Sequence, residues 1–288
     1  MRRRVIATST REVLKRAAGA TLVGAALLTI ATASYAGGDV KLIVLKEKGV
    51  GSATQAQPFV DKFMAIAAKK NGWSTGKGTY FTERKAAETA MDADKPQFAI
   101  LSLPAFLSMK EARKLEVIGQ VQVSRAGGQE YHLVSKSAKD VAGCKNEKVA
   151  TDHADDAKFL DRVVAGGAWK VADFKIEHTK RPLQGIQKVI KDEAKCALID
   201  DAQFAELKSV EGGKDLKSVW KSAKLPPMAV VAFPAADKAT KDGFKNGLST
   251  LCDGSDAKTV CGEIGIQSLK PATDDAYAQI LAAYKKDK

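Results

Sequence analysis

The sequence has no C-x-x-C pair, no Gly-x-Ser-x-Gly elbow, no His-Glu-x-x-His pair and no P-loop, and only three of its 288 residues are histidines. Serine-hydrolase, zinc-peptidase and nucleotide-cleaving chemistry each need such groups at fixed spacing. Their absence argues against an enzyme, and His132, His153 and His178 remain as the general bases a hydrolase would have to use. Without C-x-x-C and with so few histidines, a zinc site is not expected either, nor is any other cofactor. No cysteine precedes Cys144, so a lipid-modified N-terminus is not expected. Internal repeats and low-complexity tracts are also missing.

What the chain does have begins with a basic front, Arg2, Arg3, Arg4, Arg11, Lys15 and Arg16, followed by an uncharged run from Ala17 to Ala36. Its apolar part, Leu22 to Ile30, is short for a membrane span, which needs about 20 strongly apolar residues. Ser34-Tyr35-Ala36 places small residues where a signal peptidase reads them, so residues 1–36 are expected to be a cleaved signal peptide. Ser9-Thr10-Arg11-Glu12-Val13-Leu14-Lys15 resembles a twin-arginine export motif with Thr10 in place of the first arginine, which leaves the export route open. The first 36 residues hold six basic residues and one acid, so their removal lowers the formal charge from +12 to +7. The remaining lysines are scattered among acids with no aromatic-and-arginine stripe, a solubilising surface and not a nucleic-acid footprint. All four cysteines, Cys144, Cys196, Cys252 and Cys261, follow the signal, an even number suited to an oxidising compartment.

Beyond the signal, short apolar strands alternate with helical patterns. Val40–Leu45, Gly78–Phe81, Phe98–Leu101, Glu116–Val123 and Tyr131–Val134 read as extended, with helical spacing at Phe59–Ala67, Glu83–Met91 and Leu103–Leu115. A second set follows: strands at 148–150, 174–178 and 196–199, helices at 155–165, 183–191 and 202–207, then an extended run at 228–233 and a helical tail. Alternation of this kind predicts an α/β protein whose mostly parallel sheets are flanked by helices. Two such sets predict two lobes: residues 38–122 with 234–288, and residues 130–226. Two crossover segments, near 121–130 and 227–234, would join them.

Several segments resemble the type II periplasmic binding proteins of the phosphate/phosphonate import family. Lys95-Pro96-Gln97-Phe98-Ala99-Ile100-Leu101-Ser102 is similar to the family's strand that ends at the ligand. Glu130–Lys136 resembles the entry into the second lobe, Leu225–Val231 the return, and Ile264–Ala272 with Tyr277 the closing helix region. The resemblance implies a two-lobed fold that captures a small solute in the periplasm. It also implies, as partners, the solute itself and the permease of an ABC importer, the only link to a membrane. A monomer is expected. A solute-sensing or interaction protein that keeps the fold is the alternative.

In open parallel sheets the ligand sits beyond the carboxyl ends of strands where the strand order reverses. For the common order 2-1-3, those ends are Gly49–Thr54 and Ser102 in one lobe, Thr151-Asp152-His153 and Asp200-Asp201 in the other. The expected ligand contacts are therefore Gly51, Ser52, Thr54, Ser102, Thr151, Asp152, His153 and Asp201. Each has a second reading: a turn for the glycines, a helix cap for Ser52, Thr54, Ser102, Asp152 and Asp201, a surface residue or weak metal ligand for His153. Where the family's phosphonate binders carry a Ser/Thr/Gly-rich turn, this chain has Thr151-Asp152-His153-Ala154-Asp155-Asp156. Carboxylates there occupy the place a phosphate takes at a helix N-terminus, which favours a ligand with a donor or positive group, such as an aminated phosphonate. The same strand order puts Cys144 and Cys196 just before neighbouring strands and predicts a bridge between them, with Cys252 and Cys261 pairing locally. Intact-mass measurement of the exported protein should find Gly37 as its first residue; a species retaining Met1 would reverse the signal-peptide assignment.

Overall fold

A computed structural model of the chain describes residues 37–48, 52–124 and 127–286; the expected signal peptide and Gly51 lie outside these residues. The first sheet is seeded by β1 (Gly37–Leu45), which pairs in parallel with β2 (Trp73–Phe81) on one side and β3 (Phe98–Leu101) on the other. Antiparallel strands β10 (Met228–Ala232), β4 (Glu116–Val123) and β11 (Ile266–Pro271) complete the order β11-β4-β10-β3-β1-β2. The second sheet has the order β7-β6-β8-β5-β9, with β6 (Lys148–Thr151) parallel to β7 (Lys175–His178) and β8 (Cys196–Asp200). Here β5 (Tyr131–Ser135) and β9 (Lys217–Lys221) are antiparallel. Both sheets thus contain the 2-1-3 order at their parallel core, and β4, β5, β9 and β10, which flank the two passages between the sheets, supply the antiparallel pairs together with β11.

Helix α1 (Ala53–Asn71) shows how the sequence fixes these layers. Ser52 caps it through a reciprocal capping box with Gln55, and Gly72 ends it in the left-handed region at φ 67°. Val60, Phe63, Met64 and Ala67 recur at helical spacing and are buried against the sheet. The approach is close: a Cβ at Gly78 would stand 2.4 Å from Val60 Cγ1, so only glycine lets β2 pass beneath the helix. On this face Trp73 stacks on Phe98, and Phe244 of α7 (Lys238–Gly247) packs edge-on to Trp73 and tilted against Phe98. On the opposite face, one continuous apolar cluster joins Leu45, Leu101 and Phe106 of the first lobe to Leu133, Phe159 and Leu198 of the second.

Several expected elements change in extent. The helix expected over 103–115 is α3 (Leu103–Met109), which ends in a turn where Lys114 takes φ 50° and the Leu115 N–H reaches back to Lys110. The helix expected over 155–165 is a short turn, α4 (Ala157–Phe159), widened into a π turn over Leu160–Val164, which lets Leu160, Val163 and Val164 all face the core. The segment resembling a closing helix region, 264–272, is mostly strand β11: Gly265 at φ 80° stops helix α8 (Ser255–Ile264), and the chain then pairs with the open edge of β4. Edge strand β9 had no apolar alternation to announce it, and only Val219 and Trp220 are half-buried.

Both expected disulfides are present, Cys144–Cys196 and Cys252–Cys261. They close loops of 52 and 9 residues, and chain-entropy scaling assigns about 4 and about 2.6 kcal/mol to them. Chemical denaturation of the paired serine variants should therefore show the Cys144/Cys196 variant losing more stability than the Cys252/Cys261 variant. The reverse order would show that native-state effects outweigh loop closure.

Candidate functional site

The 2-1-3 order brings the carboxyl ends of β1 and β3 side by side, and the Ser102 N–H donates to the Leu45 carbonyl at 2.9 Å. Lys46, Glu47 and Lys48 leave β1 at this point. The Glu47 carboxylate accepts a two-pronged bond from Arg84, at 2.8 Å from Nε and 3.1 Å from the second terminal nitrogen, and a third bond from the Ser102 hydroxyl at 3.0 Å. Arg84 is the first residue of α2 (Arg84–Asp94). Its remaining terminal nitrogen lies 3.5 Å from Asp156 in the second lobe. Lys48 pairs with Asp155 at 2.6 Å. Burial pushes the Lys48 ammonium down, but pairing with Asp155 outweighs it and leaves the group raised; Arg84 is raised in the same way, by Glu47 and Asp156 against burial.

Asp156 also accepts the α4 capping bond from the Phe159 N–H at 2.9 Å and a bond from the Tyr284 hydroxyl at 3.3 Å. The C-terminal helix α9 (Ala278–Lys285), which carries Tyr284, is thereby tied to the second lobe; Arg162 donates to the Tyr284 carbonyl at 3.0 Å. Between the lobes remains a cavity of about 50 Å³, room for roughly four waters. Lys46, Lys48 and Arg84 face Glu47, Asp155 and Asp156 around it, so its charged rim sums to zero.

Behind the second-lobe wall lies a locked polar cluster. Asp152, 4% exposed, accepts two bonds from Gln203 Nε2 at 3.0 and 3.1 Å. Gln203 also forms a capping box with Asp200 at the start of α6 (Asp201–Glu206), and its carbonyl oxygen lies 3.2 Å from His153 Nε2. Asp200 is 2% exposed, and burial holds its carboxyl above the usual range. A Cβ at Gly127, which has φ 71°, would stand 2.1 Å from that carboxylate, so the crossover can pass there only as glycine. Tyr131 packs edge-on to His153, and burial raises its phenol well above normal.

Of the expected contacts, Ser102 and His153 line the small cavity. Thr151 is buried, and its hydroxyl accepts the His153 N–H at 3.1 Å. Asp152 stands behind His153, held by Gln203. The Asp201 carboxylate accepts N–H bonds from Gln129 at 3.0 Å and Glu130 at 3.3 Å, and borders a separate cavity of about 430 Å³ beside the crossover strands. Ser52 caps α1 at the edge of a third cavity, and Thr54 is exposed on that helix. Lys46, Glu47, Lys48 and Arg84 were not singled out from the sequence. The first three follow the first strand directly, the place the topological rule indicates, but a Lys-Glu-Lys loop has the composition of any solvated turn. Among the described residues no cluster of three or more His, Cys, Asp or Glu side chains could hold a metal ion. No described helix is long and apolar enough to cross a membrane.

A family model for the periplasmic substrate-binding protein of phosphonate ABC transporters matches residues 60–277. The chain belongs to that family. Solved structures agree on the fold of this substrate-binding protein. A binding component of an ABC phosphonate transporter from Pseudomonas aeruginosa superposes with a TM-score of 0.65 at 16% identity, over 86% of this chain and 85% of that one. The methylphosphonate complex of PhnD1 from Prochlorococcus marinus gives 0.63 at 10% identity, over 85% and 96%. An ATP-bound protein from Xanthomonas citri gives 0.68 at 8% identity, over 86% and 97%. No curated protein matches the binding protein in sequence. Its family captures solutes for ABC importers.

Replacing Gln203 with Leu removes both bonds its amide gives to the buried Asp152, and replacing His153 with Leu as well removes the one other side-chain donor near it, His153 Nε2 at 3.4 Å. Urea denaturation of the double variant should find a loss of about 3 kcal/mol, the cost of a buried charged group left unpaired. A loss below about 1 kcal/mol would mean that Asp152 finds other donors.

Proposed function

We propose that this binding protein captures a phosphonate- or phosphate-like oxyanion at the ends of β1 and β3 and delivers it to the permease of an ABC importer, acting as an exported soluble monomer without catalysis. One observation carries the reading. Lys46, Lys48 and Arg84 converge on the interlobe cavity, and Lys46, only 7% exposed, donates to the Glu47 carbonyl at 3.0 Å with no carboxylate of a described residue within 4.0 Å. A buried ammonium with no carboxylate in contact is a standing demand for an anion. An incoming oxyanion takes donors from Lys46, from Lys48 and from the Arg84 terminal nitrogen that faces Asp156, while Ser102 stays on Glu47, and Asp155 and Asp156 are released or meet an amine on the same ligand. The acids first considered for that amine are already engaged, Asp152 by Gln203 and Asp201 by backbone N–H groups. Related folds hold ligands as different as methylphosphonate and ATP, so fold alone does not set ligand size. The crossovers near 121–130 and 227–234 act as the hinge.

The test is a thermal-shift and calorimetric screen of phosphate, methylphosphonate, 2-aminoethylphosphonate and a simple sulfonate. A bound oxyanion at a hundredfold excess over its Kd should add about 2.7 kcal/mol of stability, and Lys46→Met should weaken binding at least tenfold. Stabilisation by none of the four would defeat the reading, as would an oxyanion bound equally well by Lys46→Met. Size-exclusion light scattering checks the monomer.

A further inference from the structure

The interlobe cavity shares part of its wall with a much larger one. Lys46 and Met228 belong to the walls of both, so the buried ammonium stands at their junction. The second cavity measures about 690 Å³ and lies between the first half of α1, the first sheet and the turn from α8 into β11. Its walls are mainly apolar: Val44 and Ile100 from the sheet, Ala56 and Phe63 from α1, Ile264 and Ile266 from the turn. Phe59, the one large apolar side chain exposed among the described residues at 38%, also borders it. A cavity of this size with apolar walls and a few polar groups has the proportions of an organic-ligand site, commonly about 300–1,000 Å³. The 50 Å³ space beside Arg84 holds a head group at most.

We infer that the ligand is an amphipathic oxyanion: its charged head sits on Lys46 at the junction, and an apolar alkyl or aryl body extends beneath α1 into the larger cavity. This rests on the oxyanion reading above and adds the part of the molecule that sets specificity. Of the polar residues in its walls other than Lys46, Ser52 and Gln55 are engaged with each other in the α1 capping box and Glu263 is paired with Lys62, which leaves Tyr80 and Ser124 among the apolar side chains. The engaged groups therefore do not ask for a polar body.

Calorimetric titration with methyl-, butyl- and hexylphosphonate tests the inference, with 1-hexanol as the uncharged control. Each added methylene buried in the cavity should tighten binding about fourfold, so hexylphosphonate should bind at least fiftyfold more tightly than methylphosphonate. In Ala56→Phe, which fills the cavity from α1, that ratio should fall below about threefold; Ala56→Leu should give an intermediate ratio. Hexylphosphonate should also exceed hexanol by at least tenfold, and Lys46→Met should remove that margin. Phosphonates that bind with no dependence on chain length would overturn the inference and leave the oxyanion reading standing. Hexanol binding as tightly as hexylphosphonate would likewise overturn it, because the head would then not be on Lys46. Failure of every phosphonate to bind would overturn the inference, and failure of phosphate and the sulfonate as well would overturn the oxyanion reading with it.

Discussion

The fork of Arg84 around Glu47 is the interaction on which the site depends. One guanidinium holds a carboxylate from the end of β1 with two of its nitrogens and reaches a carboxylate of the other lobe with the third. The same Glu47 fixes the Ser102 hydroxyl at the end of β3. A planar fork suits this because its donors are rigidly spaced and it stays charged at any physiological pH. A lysine at position 84 would supply the charge but could not hold both partners in one geometry.

Around that fork the protein has arranged equal numbers of positive and negative side chains, and the ion pairs across the cleft hold the lobes together. Such partly exposed pairs contribute modestly to stability. Their weakness suits the receptor role proposed above, in which an anion would replace a carboxylate on Lys48 or Arg84. The apolar cluster shared by the two lobes and the C-terminal helix tied through Tyr284 to Asp156 supply the rest of the cohesion. The second-lobe wall is of a different kind. Asp152, Gln203, Asp200 and His153 satisfy one another in a buried network, and such a network holds shape best when every member is paired.

Much of the fold was legible because apolar periodicity survives any tertiary context. Val60, Phe63, Met64 and Ala67 had to form one helical face, although the same spacing also drew in Phe59, which is exposed, and Phe98–Leu101 had to be a buried strand. Elements that failed to announce themselves lie at edges. Strand β9 carries lysines at both ends, and β11 borrows its order from the open side of β4, so neither has an apolar pattern of its own.

By itself, the sequence determined the alternation of strands and helices and the two cysteine pairs, which follow from spacing and strand order, and the family, which follows from the resemblance of several short segments. The topological rule directed attention to the ends of the first and third strand of each lobe. Only the tertiary structure decided which side chains meet there. Arg84 is 37 residues from Glu47 and 72 from Asp156, and nothing in local pattern links them. It also decided which carboxylates remain available: Asp152 and Asp201 look like free acids on paper, and folding commits them to Gln203 and to the crossover backbone. Hydrogen-bond satisfaction depends on every neighbour at once, and those neighbours are assembled only when the chain closes on itself.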